Sequence, residues 1–462
     1  MGHIDHGKST LLAYIRKSTQ PLNEAGGITQ HVSAYEVEHE SSEGKIHPIT
    51  FIDTPGHEAF SGIRQRGAHV AVIAILVVSA EDGVKPQTLE ALKSITDSGI
   101  PYIVAINKID RPEANVERTK QSLAEHEIYI EGYGGDIPAV AISAKTGEGV
   151  PELLDMIVLV SEIQGLVGDR NKLGTGVVIE SNRDVKKGVC ATCIIKDGTI
   201  RKGMFIAAGK SIAPVRIMEN YKGVQVAEAS FSSPVRIIGW DSLPQVGSNF
   251  AVYENKNDAL AHVEQENTRV MHPNTNTTYN PDTATLPVII KADAGGSLEA
   301  VLYEIKKITN DRIRAEVVSS GIGTISENDI QLASAGTRHA IVIGFNTKVD
   351  SSAKHLAERN EIEIKTFDII YKLSEWLADM LEKHTPKIQV KESTGRAKIL
   401  KLFSKVKDRQ IIGGRVETGT IKLGGQVIIF RRDAEIGEGK VKELQQQKNR
   451  SAKSGPQLIK PL

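Results

Sequence analysis

Gly2 to Ser9, in the run GHIDHGKS, have the spacing G-x-x-x-x-G-K-[ST], and the chemistry this pattern supports is phosphate binding. Backbone N–H groups from Gly2, His3, Ile4, Asp5, His6 and Gly7 wrap phosphate oxygens, and Lys8 reaches the outer phosphates. Ser9, followed by Thr10, offers a hydroxyl to Mg²⁺. FIDTPGH places Asp53 at the end of a predicted strand, where its carboxylate holds the same ion through water. Thr54 and Pro55 follow, Gly56 brings a backbone N–H to the outermost phosphate, and His57 comes next. Between these runs lies EAGGITQH, a glycine-rich stretch whose Thr29 is suited to bind the metal only in the triphosphate state.

Base choice is written further along. NKID, from Asn107 through Lys108 and Ile109 to Asp110, follows the apolar run PYIVAI. A carboxylate at Asp110 accepts from guanine N1–H and N2–H₂, whereas adenine would leave it unpaired, which specifies GTP over ATP. Lys108 can lay its stem on the base and Asn107 can tie the loops together. In SAK, Ser143 to Lys145, the Ala144 N–H can meet guanine O6. One match to a short pattern arises by chance, but five in this order point to GTP and GDP with Mg²⁺. Hydrolysis needs residues that position water and stabilise charge, and His57 is the water-orienting candidate by its position. The alternative is that His57 packs under the switch loop.

These residues need a scaffold. Strand patterns in KIHPITFIDT, VAVIAILVVSA, GIPYIVAINK and IPAVAISAK alternate with helical ones in TLEALKSITDSG, ANVERTKQSLAEH and GVPELLDMIVLVSEI, which predicts a parallel sheet covered on both faces. The fold class is therefore a multidomain α/β chain. Residues 1–165 form a phosphate-loop GTPase domain, and 173–260 a small β-barrel of short strands and glycine turns. A linker spans 264–285, a smaller α/β/α domain 286–370, a linking helix 371–385, and a basic β-barrel with an atypical end 386–462. SGIGTIS resembles a dinucleotide turn, but Ser326 stands at the third glycine position and begins S-x-x-D, a helix-capping signal.

Among 462 residues, 57 basic and 57 acidic side chains cancel, yet 18 Lys and Arg against 7 Asp and Glu from Thr385 onward give that end +11 and the rest −11. A basic tail on an acidic body suits a phosphate-rich partner or a solvated basic surface. No apolar run reaches the roughly 20 residues of a membrane-spanning helix. Cys190 and Cys193 have C-x-x-C spacing, but on a strand they point to opposite faces, so they read as structural. Two thiols without a disulfide framework suit a reducing cytoplasm.

GHIDHGKS, GGITQH, DTPGHEAF, RGA and DGVKPQT together resemble the translational GTPases, and more closely bacterial translation initiation factor two. EAGGITQHVSAYEV is similar to that family's switch stretch, and IIKADAGGSLEA, GIGTISENDI, VIGFN and IIYKL to its second α/β domain. The resemblance runs from Gly2 to Leu444. It implies that His57 is catalytic behind an apolar gate of Ile4 and Ile28. It further implies that the chain positions formylmethionyl initiator tRNA on the small ribosomal subunit, touches ribosomal RNA, and hydrolyses GTP when the large subunit docks. A monomer is expected, with no membrane partner. An elongation-type tRNA-delivery GTPase, or a ribosome-binding module with a vestigial nucleotide site, are the competing readings.

Three departures from the family stand out. Only Met1 precedes Gly2, so the strand that launches the loop is missing, and the expectation is an exposed sheet edge, a poorly anchored loop and lowered stability. Val72 stands where the family usually has aspartate. The closing NRSAKSGPQLIKPL has no strand pattern where further barrel strands are expected.

Overall fold

The computed structural model describes residues 1–17, 29–41, 44–269, 284–308, 313–336, 339–385, 393–406, 409–432, 434–446, 449–450, 453–454 and 458–459. The chain divides into two compact units, Met1–Pro386 and Lys387–Leu462.

In the first unit the phosphate loop runs into α1 (Lys8–Ile15), whose Leu11 and Ile15 are buried. β1 (Ser33–Glu40) and β2 (Ile46–Asp53) pair antiparallel as a ribbon. β1 lies in the stretch read as switch; its alternation of Tyr35, Val37 and His39 with Glu36, Glu38 and Glu40 is a strand period. α2 (Ser61–Val70), β3 (Ala74–Ser79), α3 (Pro86–Ser98), β4 (Tyr102–Asn107), α4 (Val116–Glu125), β5 (Ala139–Ala141) and α5 (Val150–Ile163) follow. β3, β4 and β5 form a parallel sheet in that order. Val77, Ile103 and Ala105 bury against α1 and α5, while Leu76, Val78, Val104 and Ile106 bury against α3 and α4. Both faces are covered, which is why the strands are apolar throughout.

The expectation of a poorly anchored loop is not met. Gly2 pairs in parallel with Val77, the Met1 carbonyl accepts the Val77 N–H at 2.9 Å, and the Met1 amine donates to the Ile75 carbonyl at 2.7 Å.

Nine strands lie between Thr175 and Tyr253, seven of them in one antiparallel sheet around Ile195, Ile206, Val235, Ile237, Trp240 and Phe250. Cys190 and Cys193 are free and buried there, and burial pushes both thiols up. α6 (Lys256–Arg269) runs into the stretch expected as linker, and 270–283 lie outside the described residues.

A second parallel sheet follows, from β6 (Ala284–Ala292), β7 (Ile313–Ile322), β8 (Ile341–Phe345) and β9 (Ile364–Phe367) in the order β7-β6-β8-β9. α7 (Gly295–Ile308), α8 (Glu327–Ser334) and α9 (Ser351–Arg359) connect them, and α10 (Ile370–His384) closes the unit. Val288, Ile290 and Ala292 face α7 and α10, whereas Ile289 and Val342 face α8 and α9. Ser326 and Asp329 form a capping box at α8, as the capping signal predicts. Ala59, Phe60 and Ile63, just past the DTPGH run, are buried in the same core as α7 and α10.

In the second unit Gly395–Val406 pairs with Arg409–Gly419, and Gln426–Arg431 with Ala434–Lys440. The tail read as patternless makes three two-residue strands, Asn449–Arg450, Lys453–Ser454 and Leu458–Ile459. Backbone pairing over two residues needs no side-chain period, so the sequence carries no sign of it. Among the described residues the buried apolar side chains here are Val416 and Leu444, far fewer than a closed barrel encloses.

Candidate functional site

The loop closes on Gly7, whose φ of 86° and ψ of 25° lie in the left-handed region. A Cβ there would stand 2.4 Å from Asn107 Nδ2, so both conformation and space demand glycine. Asn107 is buried and joins three segments. Its Nδ2 donates to the His6 carbonyl at 2.7 Å, and its Oδ1 accepts the Ala144 N–H at 2.9 Å. Asn107 thus ties NKID, SAK and the phosphate loop together as its residue type suggests. The Ala144 N–H, expected to face guanine O6, is committed to this bond instead.

Lys108 adopts a φ of 68°, and its ammonium pairs with Glu81 at 3.3 Å and Asp82 at 3.7 Å rather than reaching over a base. Asp110 is exposed and accepts the Ser143 hydroxyl at 2.7 Å, which holds its carboxyl below the usual range. Ile109 packs against the core between the sheet, α3 and α4, while Thr10 and Lys145 are exposed.

Ile4, Asp5, Lys8, Ser9, Thr29, Gly56 and His57 line one small cavity of about 40 Å³. Lys8 is buried there, and its ammonium donates to the His3 carbonyl. Burial pushes its pKa down to about 8, with Asp53 pulling the other way. Such an ammonium gains most when an anion enters. Ser9 and Thr29 hydroxyls lie 2.8 Å apart, and Thr29 donates to Asp53 at 3.5 Å. Asp53 is buried, and burial raises its carboxyl against the pull of Lys8. Two hydroxyls and one carboxylate are hard oxygen donors, and they leave most of an octahedral shell to water and phosphate, which fits Mg²⁺. Ile28, the other half of the expected apolar gate, lies outside the described residues; Ile4 lines the cavity.

His57 is buried beside this cavity. Its Nδ1 accepts the Ala59 N–H at 2.9 Å, and its ring centroid lies 4.3 Å from that of Tyr371. Burial first, then Lys307 and Arg64, push its pKa down to about 4, so the ring is neutral at pH 7 with its proton on Nε2. The ring is packed, against Tyr371 of α10 rather than under the switch loop, and it also lines the cavity.

Sequence reasoning missed three contributors. Arg64, 1% exposed, donates to the Pro55 carbonyl at 3.1 Å, to the His57 carbonyl and to Glu90, fixing the backbone of the DTPGH run. Gln30 is buried, donates to the Asp368 carbonyl at 2.8 Å and accepts the Ile370 N–H at 3.3 Å. His31 stands 3.6 Å from Glu180 and 3.4 Å from Asp293. An arginine on the buried face of α2 was the one available signal; Gln30 and His31 act across more than a hundred residues and left none.

The phosphate loop, the oxygen cluster at the end of β2 and the base-recognition loop after β4 define the guanine-nucleotide class of phosphate-loop proteins. Residues 1–162 match the family described as Elongation factor Tu GTP binding domain, and 174–253 that of Elongation factor G domain 2. Residues 260–378 match Translation-initiation factor 2. A protein named Translation initiation factor IF-2 from Caulobacter sp. (strain K31) is 39% identical over 95% of this chain and 43% of its own length. Its namesake from Rubrobacter xylanophilus is 38% identical over 97% of this chain and 66% of its own. A solved structure of GDP-bound aIF5B from Aeropyrum pernix is 25% identical at a TM-score of 0.49, covering 100% of this chain and 87% of that one. The chain belongs to the translation initiation factor two family. It spans from 41% to 66% of the length of the curated relatives it matches. Among the described residues no helix is long and apolar enough to cross a membrane.

Proposed function

We propose that this chain is a GTP-binding translation initiation factor: it positions formylmethionyl initiator tRNA on the small ribosomal subunit, promotes subunit joining, and hydrolyses GTP when the ribosome stimulates it. The observation that carries this is one cavity lined at once by Lys8, Ser9, Thr29, Gly56 and His57. The match of 260–378 to an initiation-factor family favours initiation over elongation-type delivery.

Lys8 and the loop N–H groups hold the β- and γ-phosphates, and Asp110 selects guanine. Ser9 and Thr29 would hold Mg²⁺ directly and Asp53 through water; the ion would neutralise charge on the phosphate oxygens. A water attacks the γ-phosphorus, the bond to the β–γ bridging oxygen breaks, GDP leaves with that electron pair, and the water's proton ends on inorganic phosphate. With Nδ1 occupied by the Ala59 N–H, neutral His57 can donate from Nε2 but has no lone pair free for a proton. His57 therefore orients the water or the phosphate and is not a general base. The chain acts as a cytoplasmic monomer on this reading.

Titration with fluorescent GDP and GTP in Mg²⁺, with excess ATP as competitor, tests it first. Tight binding that ATP does not displace is expected, followed by ribosome-stimulated hydrolysis and preference for initiator over elongator tRNA. Absence of nucleotide binding would leave the vestigial-site reading standing.

A further inference from the structure

His57 is held from three directions. The Ala59 N–H fixes Nδ1, Arg64 fixes the His57 carbonyl, and the ring meets that of Tyr371 at a tilt, with centroids 4.3 Å apart at 60°. The first two belong to the same segment as His57 itself. Tyr371 comes from elsewhere, the first turn of α10, more than three hundred residues along the chain.

That turn is rigid for reasons unrelated to His57. Ile370, Leu373, Leu377 and Leu381 bury one face of α10 in the core. Ser374 donates to Glu304 at 2.8 Å, and Gln30 bridges the Asp368 carbonyl and the Ile370 N–H. Tyr371 itself is 43% exposed, so it is not a core side chain, and its ring makes an aromatic contact with His57. A nitrogen bond at one edge leaves an imidazole free to rock about that bond; a second ring packed against it restricts that freedom.

We propose that Tyr371 is a positioning residue for GTP hydrolysis, holding the His57 imidazole in place where it lines the phosphate cavity. The proposal rests on the reading of His57 as the water-orienting group. It places a determinant of hydrolysis on α10, outside the nucleotide-binding segments. Because Tyr371 touches His57 but does not itself line the cavity, nucleotide affinity is expected to be independent of it.

The test is ribosome-stimulated hydrolysis of GTP by the full chain, with kcat and KM resolved, for wild type, Y371A, Y371F and H57A. Y371A is expected to lower kcat about tenfold, within the range a misplaced catalytic group loses, while KM stays within about twofold. Y371F keeps the ring and is expected to retain at least about half of the wild-type kcat. A fluorescent-GDP affinity equal to wild type shows that Y371A is folded. If H57A loses activity and Y371A does not, Tyr371 has no positioning role and the reading of His57 survives. If H57A keeps wild-type kcat, that reading fails and the proposal falls with it. A Y371F as slow as Y371A would also overturn it, since the ring contact would not then be what matters.

Discussion

Arg64 shows how one side chain can decide the geometry of a loop it does not belong to. Its guanidinium supplies donors to two carbonyls of the DTPGH run while paired with Glu90. Arg64→Met would keep the helix and the volume but strand those acceptors in a buried place. A loss of about 3 kcal/mol is expected in urea unfolding, and a loss under about 1 kcal/mol would remove Arg64 from this role. His6 and His57 make a second expectation, this time in pH. Burial pushes both from the ordinary 6.5 to about 4. Each is a base with a depressed folded pKa, so the unfolded chain binds more protons between those values. Their contribution is complete above pH 6.5 and is lost as pH falls toward 4. Buried Asp53, raised instead, opposes that slope, so the comparison must be by difference. His57→Gln should flatten the decline of stability between about pH 6.5 and 4.5, and an unchanged slope would show that His57 is not the buried base.

At the scale of elements, Met1 and Gly2 lie along the edge of β3 away from β4. Met1 and Gly2 pair with it only at Ile75 and Val77, and the Met1 amine is buried there, its pKa pushed down to about 5 by desolvation and then by Lys8. Burying an amine beside an ammonium is unfavourable. An extension of about six apolar residues before Met1 would replace the amine with a peptide group and extend the pairing along β3. The melting temperature of the extended chain is expected to rise by about 5 °C or more, and equal temperatures would contradict the argument. The switch segment makes the opposite case. Gln30 and the Ala59–Ile63 turn are anchored in the second α/β layer rather than in their own sheet. These elements are positioned by packing that is distant in sequence.

For the whole molecule, charge is the property that divides it. The unit from Lys387 to Leu462 carries 18 basic and 7 acidic residues, while the nucleotide residues all lie in the other unit. Truncation after Pro386 is expected to leave GDP affinity within about twofold and to weaken tRNA binding by more than about tenfold, with full-chain binding falling steeply as salt rises. Retained tRNA affinity in the truncated chain would move the RNA contact into the first unit.

The sequence by itself determined the phosphate loop, the Asp53 and Asn107 runs and the alternation of both parallel sheets. A loop that wraps phosphate needs glycine at fixed steps, and a strand buried on two faces must be apolar at every step; both are local demands that spacing records. The same holds for the capping signal at Ser326. The tertiary structure decided the rest. The Ala144 N–H turned inward to Asn107, Lys108 turned to Glu81 and Asp82, and Gly2 paired with β3 at Val77. Tyr371 reached His57, and Gln30 reached α10, across more than three hundred residues. None of these has a period or a spacing, because each is a meeting of surfaces set by how whole layers pack. Side-chain type announces such a contact only after the fold has brought its partner near.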